Sequence, residues 1–480
     1  MPIAEFKEMK KFIKNFICYV LPEFLVLSLP FLTLPITTRY FGLEEFGLIA
    51  LFSLCQLPFV VLREFGVGYS LPAMWFDLDQ SQRKSFLFTL LIVSLAITII
   101  SIILVSFLYE WVFVWLANDS ATFVISMYPW MALSVFSQFV TPVFSHWVVI
   151  TERSSVFMRI KFLELILSNT AMVLVIVYSS KVEYVIISMS LSVMFVNCIR
   201  LLSIFPHLNY DFDRRFFSEI LTIGYPIFFR SFFNQLRGQV DKVFVSSLFS
   251  VQTFALYSWS FRFYQMFNTL NGHFSKVYSP RVFQKLSKED FDFHKINRML
   301  FFWFYFIFLG SVLFFFLGKP LINVISNGVY LNAYPIILLF SGLCLIETAF
   351  CAVDLPITQK RKTKYILGTT IFGSLIGLLS AFLLIPEMGP IGAVLSLIIS
   401  SFLIRIINSM IKFRMTRILF IELRVTPYVI AYFVAMTLHF AGLEELVPSL
   451  LLTSMTLISL HWVVIERKSL LTLWSRLNIQ

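Results

Sequence analysis

Long apolar stretches, separated by short polar segments, follow one another along almost the whole chain. Most are about as long as the ~20 residues that a helix needs to cross a membrane. They lack the alternation of apolar and polar residues that marks membrane strands. We therefore predict an all-α polytopic membrane protein with about fourteen transmembrane helices. The predicted spans are 15–38, 46–71, 86–107, 123–150, 157–178, 184–205, 220–248, 254–277, 299–325, 333–357, 365–385, 391–411, 427–443 and 448–465.

The composition agrees with this pattern. Of the 480 residues, 58% are hydrophobic and 14% are charged, whereas about a quarter of a soluble domain is charged. A soluble enzyme, a disordered protein, a disulfide scaffold and a fibrous repeat are therefore excluded. All five cysteines lie inside apolar stretches, and the sequence has no CxxC, HExxH or phosphate-loop motif. We expect no metal, no cofactor and no ATP site.

The basic residues predict the orientation in the membrane. The formal net charge is +11. With a cytoplasmic N-terminus, most lysines and arginines fall in or beside cytoplasmic segments, and the outer loops hold only Arg39, Lys181 and Lys319. This positive-inside pattern predicts that both termini are cytoplasmic. The basic residues form no separate domain, so nucleic-acid binding is not expected.

An internal repeat is visible at an offset of 205 to 208 residues. The matches are Phe41–Leu48 with Phe249–Leu256, Ile150–Arg153 with Ile357–Lys360, and Arg200 with Arg405. Six spans separate the copies, which predicts two six-helix lobes in a parallel repeat. The predicted domains are 1–210 for helices 1–6, 211–415 for helices 7–12, and 416–480 for an appended helix pair and a cytoplasmic tail.

Charged residues inside predicted spans are costly and usually face a cavity or a partner. Spans seven and eight concentrate such residues, and we predict a substrate-binding set there: Arg230, Asn234, Arg237, Asp241, Lys242 and Arg262. The first four share one helical face. An alternative for two members is local, with Arg237 paired to Asp241 one turn away and Lys242 snorkelling outward.

The remaining ionisable residues of the spans are mostly acidic. Glu23 in span one and Glu347 in span ten are candidates for proton or sodium coupling, although either could balance a buried arginine instead. The early spans of the first half are expected to hold acids such as Glu23 and Glu164 rather than arginines. Lys161 lies one turn before Glu164 and is expected to pair with it.

Several stretches resemble a known family. Leu29–Leu48, with the sequence LPFLTLPITTRYFGLEEFGL, resembles the first-span signature of bacterial polysaccharide flippases of the Wzx type. These belong to the multidrug/oligosaccharidyl-lipid/polysaccharide exporter superfamily. Arg63–Gly68, Asp241–Lys242 and Gly389–Ala393 are further similarities.

This resemblance implies two lobes around a central cavity that opens alternately to each side of the bacterial cytoplasmic, or inner, membrane. The implied cargo is an undecaprenyl-pyrophosphate-linked oligosaccharide, such as an O-antigen unit, moved from the inner to the outer leaflet. Arginine binds phosphate through a forked, charge-assisted pair, which suits the cations of span seven. No catalytic residue is expected. The implied partners are this lipid, the bilayer, and polysaccharide polymerase or chain-length machinery.

Three alternatives remain open at this point. A multidrug or metabolite exporter would be expected to present an acidic cavity, against the span-seven cations. A peptidoglycan lipid-precursor flippase also has fourteen spans and a cationic cavity, and the acids expected in the early spans argue against it. A membrane scaffold for polymerising enzymes would not need buried arginines.

Overall fold

The computed structural model describes residues 35–460 with gaps at 64, 118–119, 180, 288–293, 361, 417–420 and 444, together with 21–22, 25, 29 and 33. All regular elements in this part of the chain are helical, and the predicted fold class is confirmed. Glu23 lies outside the described residues. For Arg230, Asn234 and Arg237 the description covers the helical backbone alone.

The chain divides into two compact units. Unit 1 comprises Met1–Ser258 with Ile325–Val329, and unit 2 comprises Trp259–Val324 with Tyr330–Gln480. The predicted domain boundaries at 210 and 415 are based on the internal repeat, whereas the two units are defined by contacts within the fold. These domain boundaries stay a prediction.

Unit 1 contains ten complete helices and the start of an eleventh. They are α1 (Leu43–Cys55), α2 (Leu57–Arg63), α3 (Val67–Met74), α4 (Gln80–Ala117), α5 (Ala121–Ser126), α6 (Tyr128–Ser137), α7 (Val140–Ile150), α8 (Ser154–Ser179), α9 (Val182–Ile204), α10 (Arg214–Leu248) and α11 (Val251–Ser287). The predicted second span is thus divided among α1, α2 and α3. Gly66 has a φ of +76°, directly before α3, and glycine adopts this left-handed conformation at little cost.

Unit 2 contains the rest of α11 and seven further helices. They are α12 (His294–Ser326), α13 (Tyr334–Ala349), α14 (Asp354–Gln359), α15 (Thr363–Met388), α16 (Pro390–Thr416), α17 (Glu422–Phe440) and α18 (Leu446–Leu460). The predicted tenth span is divided between α13 and α14. Within the unit, α15 packs against α16, and α13 packs against α16 and α17.

Nine helical stretches of the described chain are long and apolar enough to cross a membrane. They are Leu43–Val60, Gln80–Ala117, Tyr128–Ile150, Ser154–Ser179, Val182–His207, Ile296–Ser326, Leu331–Ala349, Lys364–Met388 and Pro390–Thr416. Helices α10 and α11 have 35 and 37 residues, which is also enough to span, but they are more polar. The protein is therefore a multi-pass membrane protein, and the number fourteen stays a prediction.

The core of unit 1 brings α3, α4, α7 and the start of α10 together. Its buried side chains include Leu71, Phe86, Phe144, Trp147 and Ile220. This packing fixes the orientation of α3 and α7, which form the wall of the cavity described below.

Helices α3 and α10 are in close backbone contact at one end of this core. A Cβ atom on Gly224 would lie 2.5 Å from the Phe65 carbonyl oxygen, and one on Gly66 would lie 2.6 Å from the Gly224 carbonyl oxygen. The rings of Phe65 and Phe228 pack beside this contact, with centroids 5.0 Å apart. Only glycine at both positions permits this approach.

Candidate functional site

A cavity of about 160 Å³ lies in unit 1, between α3 and α7 and beside the end of α2. Its walls combine one cation, two aliphatic hydroxyl groups, a phenol, an imidazole and a glycine-rich turn. The lining residues are Arg63, Gly66, Val67, Gly68, Tyr69, Thr141, Pro142, Ser145 and His146. The break between α2 and α3 creates this space, because the chain turns at Gly66 instead of continuing as one helix.

Arg63 supplies the positive charge of the cavity. It is the last residue of α2 and only 6% exposed. Its NH1 group donates a hydrogen bond of 2.8 Å to the Gln138 side-chain oxygen, and Gln138 in turn donates to the Ser134 hydroxyl at 3.3 Å. Gln138 therefore orients the guanidinium at the cavity wall.

This arrangement corrects one expectation from the sequence. The early spans were expected to hold acids rather than arginines, and this is wrong because Arg63 and Arg200 are both buried in unit 1. Both arginines lie near the ends of predicted spans, where the sequence pattern assigned them to the cytoplasmic flanks. The Arg63–Gly68 motif was the available signal, but the sequence does not show that its arginine turns inward.

A polar network continues from the cavity wall into the interior of unit 1. Thr141 donates to the Asn197 side-chain oxygen at 3.0 Å, and the same oxygen accepts from Arg200 at 2.8 Å. Arg200 also pairs with Glu164 at 2.5 Å, and Lys161 pairs with that carboxylate at 3.1 Å, as predicted. Two cations thus share one carboxylate at the far end of this network.

Tyr69 and His146 form the aromatic side of the cavity. Their ring centroids are 4.8 Å apart and their planes meet at 54°. The Tyr69 side chain is half exposed, and the imidazole packs against Gly68, where a Cβ would lie 2.5 Å from the His146 Cδ2 atom. Gly68 thus leaves the space that the imidazole occupies.

The predicted binding residues of α10 fall into two groups. Arg230, Asn234 and Arg237 lie at successive turns of this helix, as predicted. Their spacing places them on one helical face, and their role stays a prediction.

Asp241 and Lys242 lie further along α10 and are both buried. The Tyr257 hydroxyl of α11 donates a hydrogen bond to the Asp241 carboxylate. The Lys242 ammonium donates to the Gly238 carbonyl at 3.0 Å and to the Gln239 side chain at 2.8 Å. Lys242 therefore bonds to its own helix, and the interpretation that it snorkels outward is wrong. In this conformation the Asp241 carboxylate joins α10 to α11 and is enclosed by protein.

Arg262 and Glu347 belong to unit 2. Arg262 is half-buried in α11, and Glu347 is half-buried in α13, where it accepts a 2.9 Å hydrogen bond from the Tyr264 hydroxyl. Arg405 is close enough to attract Glu347 electrostatically and pairs with Asp354 at 3.2 Å. Among the described residues, no three His, Cys, Asp or Glu side chains converge as metal ligands would.

The model of the family described as polysaccharide biosynthesis protein matches residues 12–286. This chain belongs to that family. The matched range includes the cavity of unit 1 and all of α10, so both lie in the part of the chain that carries the family pattern. The resemblance to polysaccharide flippases of the Wzx type is thereby confirmed.

A curated relative is the capsular polysaccharide biosynthesis protein CapF of Staphylococcus aureus. The two are 27% identical over 200 residues, which are 41% of this chain and 50% of CapF. The chain thus spans about half the length of the curated relative it matches.

Solved structures share the fold over most of the chain. The lipid II flippase MurJ in an inward closed conformation has a TM-score of 0.72 at 16% identity, covering 94% of this chain and 99% of MurJ. A multidrug resistance MATE transporter of the MOP superfamily, in an inward-facing conformation, has a TM-score of 0.61 at 11% identity, covering 81% and 94%. At these identities the likeness shows the fold alone.

Proposed function

We propose that this protein is a flippase of the bacterial cytoplasmic membrane. It moves an undecaprenyl-pyrophosphate-linked oligosaccharide, the repeat unit of a surface polysaccharide, from the inner to the outer leaflet by alternating access. The proposal rests on family membership together with one observation of the structure, the buried Arg63 on the wall of a polar cavity.

The chemistry of this cavity suits a pyrophosphate. A guanidinium binds phosphate oxygens through paired, charge-assisted hydrogen bonds, and burial strengthens this attraction because little water screens it. Gln138 already holds the Arg63 guanidinium in place, so little side-chain freedom is lost when an anion binds. The lipid tail needs no polar partner and can remain in the bilayer.

The polar residues of α10 and α11 have separate roles in this proposal. Arg63 binds the pyrophosphate directly, whereas Arg230, Arg237 and Arg262 attract it through their positive charge, and Asn234 hydrogen-bonds the oligosaccharide. Asp241, with Lys242 beside it, positions the α10 face through its contact with Tyr257 rather than by touching the cargo. Translocation makes and breaks no covalent bond, so the proposal needs no catalytic residue and no cofactor.

The charge of the unit 1 cavity bears on two other functions, multidrug export and transport of a peptidoglycan precursor. A multidrug exporter for cationic compounds would need an acidic cavity, whereas Arg63 makes this one basic. A peptidoglycan-precursor flippase would also use buried arginines, and the burial of Arg63 and Arg200 removes the argument against it that the sequence suggested. The likeness to MurJ concerns the fold and does not identify the cargo.

Deletion in the source strain separates these functions. Under our proposal, deletion removes the surface polysaccharide, leaves growth intact, and causes the lipid-linked repeat unit to accumulate at the inner leaflet. A peptidoglycan-precursor flippase would instead be required for growth, with lysis on depletion. Unchanged surface polysaccharide in the deletion strain would refute the proposal.

The coupling mechanism can be tested on Glu347. We propose that it carries the coupling ion, because its half-buried carboxylate accepts a hydrogen bond from Tyr264 at 2.9 Å. Transport into vesicles would then depend on a proton or sodium gradient, and Glu347→Gln would abolish that dependence. Tyr264→Phe is the matched variant that removes only the hydrogen bond. Gradient-independent transport by the wild type would remove this role.

A further inference from the structure

The aromatic side of the unit 1 cavity has a chemistry that a pyrophosphate does not use. Tyr69 and His146 meet there at 54°, and the Tyr69 side chain is 50% exposed. In a well-packed interior such a ring would be covered. Tyr69 is one of the residues that line the cavity, so the exposed part of its side chain can contact a ligand there.

Polar groups lie beside the imidazole on the same helix, α7. Thr141 and Ser145 place their hydroxyl groups on the cavity from α7. Within the described part of the chain, neither imidazole nitrogen of His146 has a hydrogen-bond partner. The Thr141 hydroxyl donates to Asn197 and the Ser145 hydroxyl donates to the Pro142 carbonyl, so both hydroxyl oxygens act as acceptors towards a ligand, and the imidazole acts as donor or acceptor.

A sugar ring is a suitable ligand for a cavity that combines aromatic rings with hydrogen-bonding groups. A pyranose has apolar C–H faces that pack on aromatic rings, and equatorial hydroxyl groups that hydrogen-bond at its edge. A cavity of about 160 Å³ holds several water molecules, which is space of the order that one sugar ring displaces. A few polar groups in such a pocket fix the orientation of the ligand.

The position along the chain agrees with loading from the cytoplasmic side. His146 lies four residues before the end of α7 at Ile150, about 6 Å along the helix axis. The charge pattern predicts that this end is cytoplasmic. A sugar bound here would be the part of the cargo that enters first from the inner leaflet.

We propose that Tyr69 and His146 bind the sugar next to the carrier pyrophosphate and thereby select which glycan is transported. This inference rests on the proposed function and assigns the sugar specificity to these two residues. Arg63, on the neighbouring wall, binds the pyrophosphate, so a single cavity recognises both ends of the sugar–phosphate linkage.

Binding to the purified full chain in lipid nanodiscs tests this division. One probe is undecaprenyl pyrophosphate, and the other is the lipid-linked oligosaccharide extracted from the source strain. We expect the wild type to bind the sugar-bearing lipid about tenfold more tightly, equivalent to ~1.4 kcal/mol. Tyr69→Ala and His146→Ala should lower this preference to about threefold or less and leave the affinity for undecaprenyl pyrophosphate unchanged.

If an alanine variant does not fold, variants that retain an aromatic ring can be used to measure the same preference for the sugar-bearing lipid. Tyr69→Phe retains the ring and should keep most of the preference, whereas His146→Phe retains a ring without nitrogens and should lose it. Tyr184→Ala is the matched control, because Tyr184 in α9 is also 50% exposed and lies outside the cavity. It should behave as wild type.

Three results would overturn the assignment. The first is equal affinity of the wild type for the two lipids, and the second is full retention of the preference in Tyr69→Ala and His146→Phe. The third is binding of neither lipid by the folded wild type, which would also refute the proposed function. Loss of binding to both lipids in Arg63→Ala, with normal discrimination in the wild type, supports the division of roles.

Discussion

The cavity of unit 1 can be compared with the position of unit 2 that the predicted repeat matches to it. Arg63 and Asn271 are 208 residues apart, and Thr141 and Thr348 are 207 apart, which matches the offset of the internal repeat. In unit 2, Asn271 donates to the Thr348 hydroxyl at 2.9 Å. In both units, therefore, a polar residue at this position hydrogen-bonds to a neighbouring helix.

The surroundings of Asn271 and of Arg63 differ: aromatic side chains cover Asn271, whereas Arg63 lies beside an open cavity. The Trp303 indole donates to the Asn271 side-chain oxygen at 2.6 Å, and Phe274 stacks on Trp303 with centroids 4.6 Å apart. Aromatic side chains thus fill the unit 2 position, whereas unit 1 keeps a cation beside an open cavity. Among the described residues, the unit 1 position thus combines burial, positive charge and space for a ligand, whereas the unit 2 position that the predicted repeat matches to it is filled.

The largest expected effect concerns these two positions. Arg63→Ala should reduce transport of the lipid-linked oligosaccharide by about 10- to 100-fold, since a hydrogen bond to a charged group contributes ~1.5–3 kcal/mol. Asn271→Ala should leave the transport rate within about twofold and lower thermal stability instead, because it leaves the Trp303 indole N–H without its acceptor. Flipping in vesicles and melting curves measure the two effects. Similar transport losses in both variants would mean that the two positions are functionally equivalent.

The ion pairs of the two units provide the next comparison. In unit 2 the side chains of Lys412 and Glu422 are 0% and 3% exposed and form a buried pair between α16 and α17. Glu422→Ala leaves a buried ammonium and should cost about 3–5 kcal/mol. Glu164→Ala in unit 1 should cost clearly less, because the Glu164 carboxylate is partly exposed. Detergent melting curves measure both.

A double variant isolates the cause. Lys412→Met combined with Glu422→Leu should recover most of the stability lost in Glu422→Ala, because it removes both charges at similar volume. No recovery would show that packing of the α16–α17 junction, rather than the loss of the Lys412–Glu422 ion pair, determines the loss.

The third prediction concerns the backbone contact between α3 and α10 in unit 1. Gly224→Ala places a Cβ 2.5 Å from the Phe65 carbonyl oxygen and should destabilise this arrangement by about 1–3 kcal/mol. Gly310→Ala in α12 of unit 2 is the matched control, since no described atom lies within 4 Å of its added Cβ. It should be neutral or slightly stabilising. Equal melting temperatures for the two variants would contradict the close contact.

The smallest effect is expected at two exposed basic residues that the predicted repeat matches. Arg153 and Lys360 follow α7 and α14 at an offset of 207 residues. Arg153 stacks over the Trp147 ring at 4.8 Å and hydrogen-bonds His207, whereas Lys360 donates to the Met415 carbonyl. Arg153→Ala should cost about 0.5–1 kcal/mol and Lys360→Ala less than that. Melting curves measure both losses of stability. A larger loss in Lys360→Ala than in Arg153→Ala would contradict this prediction.

The sequence predicted the helices well in segments that are apolar along their whole length. The long helices α4, α8, α9 and α12 lie within or around the predicted spans. It did not predict the breaks inside spans two, four and ten, because a backbone turn such as that at Gly66 depends on the packing of α3 against α7 and α10. An apolar pattern shows that a segment is buried and gives no sign that its helix is interrupted.

The residues of the candidate site likewise divide into those that a local sequence pattern indicates and those that only tertiary packing brings together. The cations of α10 were recognised because several polar residues recur at helical spacing in one segment. Arg63 was assigned to a loop flank, since it stands alone near the end of an apolar stretch. Its burial depends on Gln138, 75 positions away, and no local pattern records that contact. Tyr69 and His146 are likewise brought together only by the packing of α3 on α7.

The sequence by itself determined that this is an all-α membrane protein of the polysaccharide biosynthesis family. These properties follow from local hydrophobicity and short motifs, which are preserved whatever the tertiary arrangement. Only the tertiary structure decided that Arg63 faces a cavity and that the matching Asn271 is covered by Trp303. The physical reason is that burial and free volume are properties of several segments together, so they cannot be assigned to a residue until its neighbours in space are known.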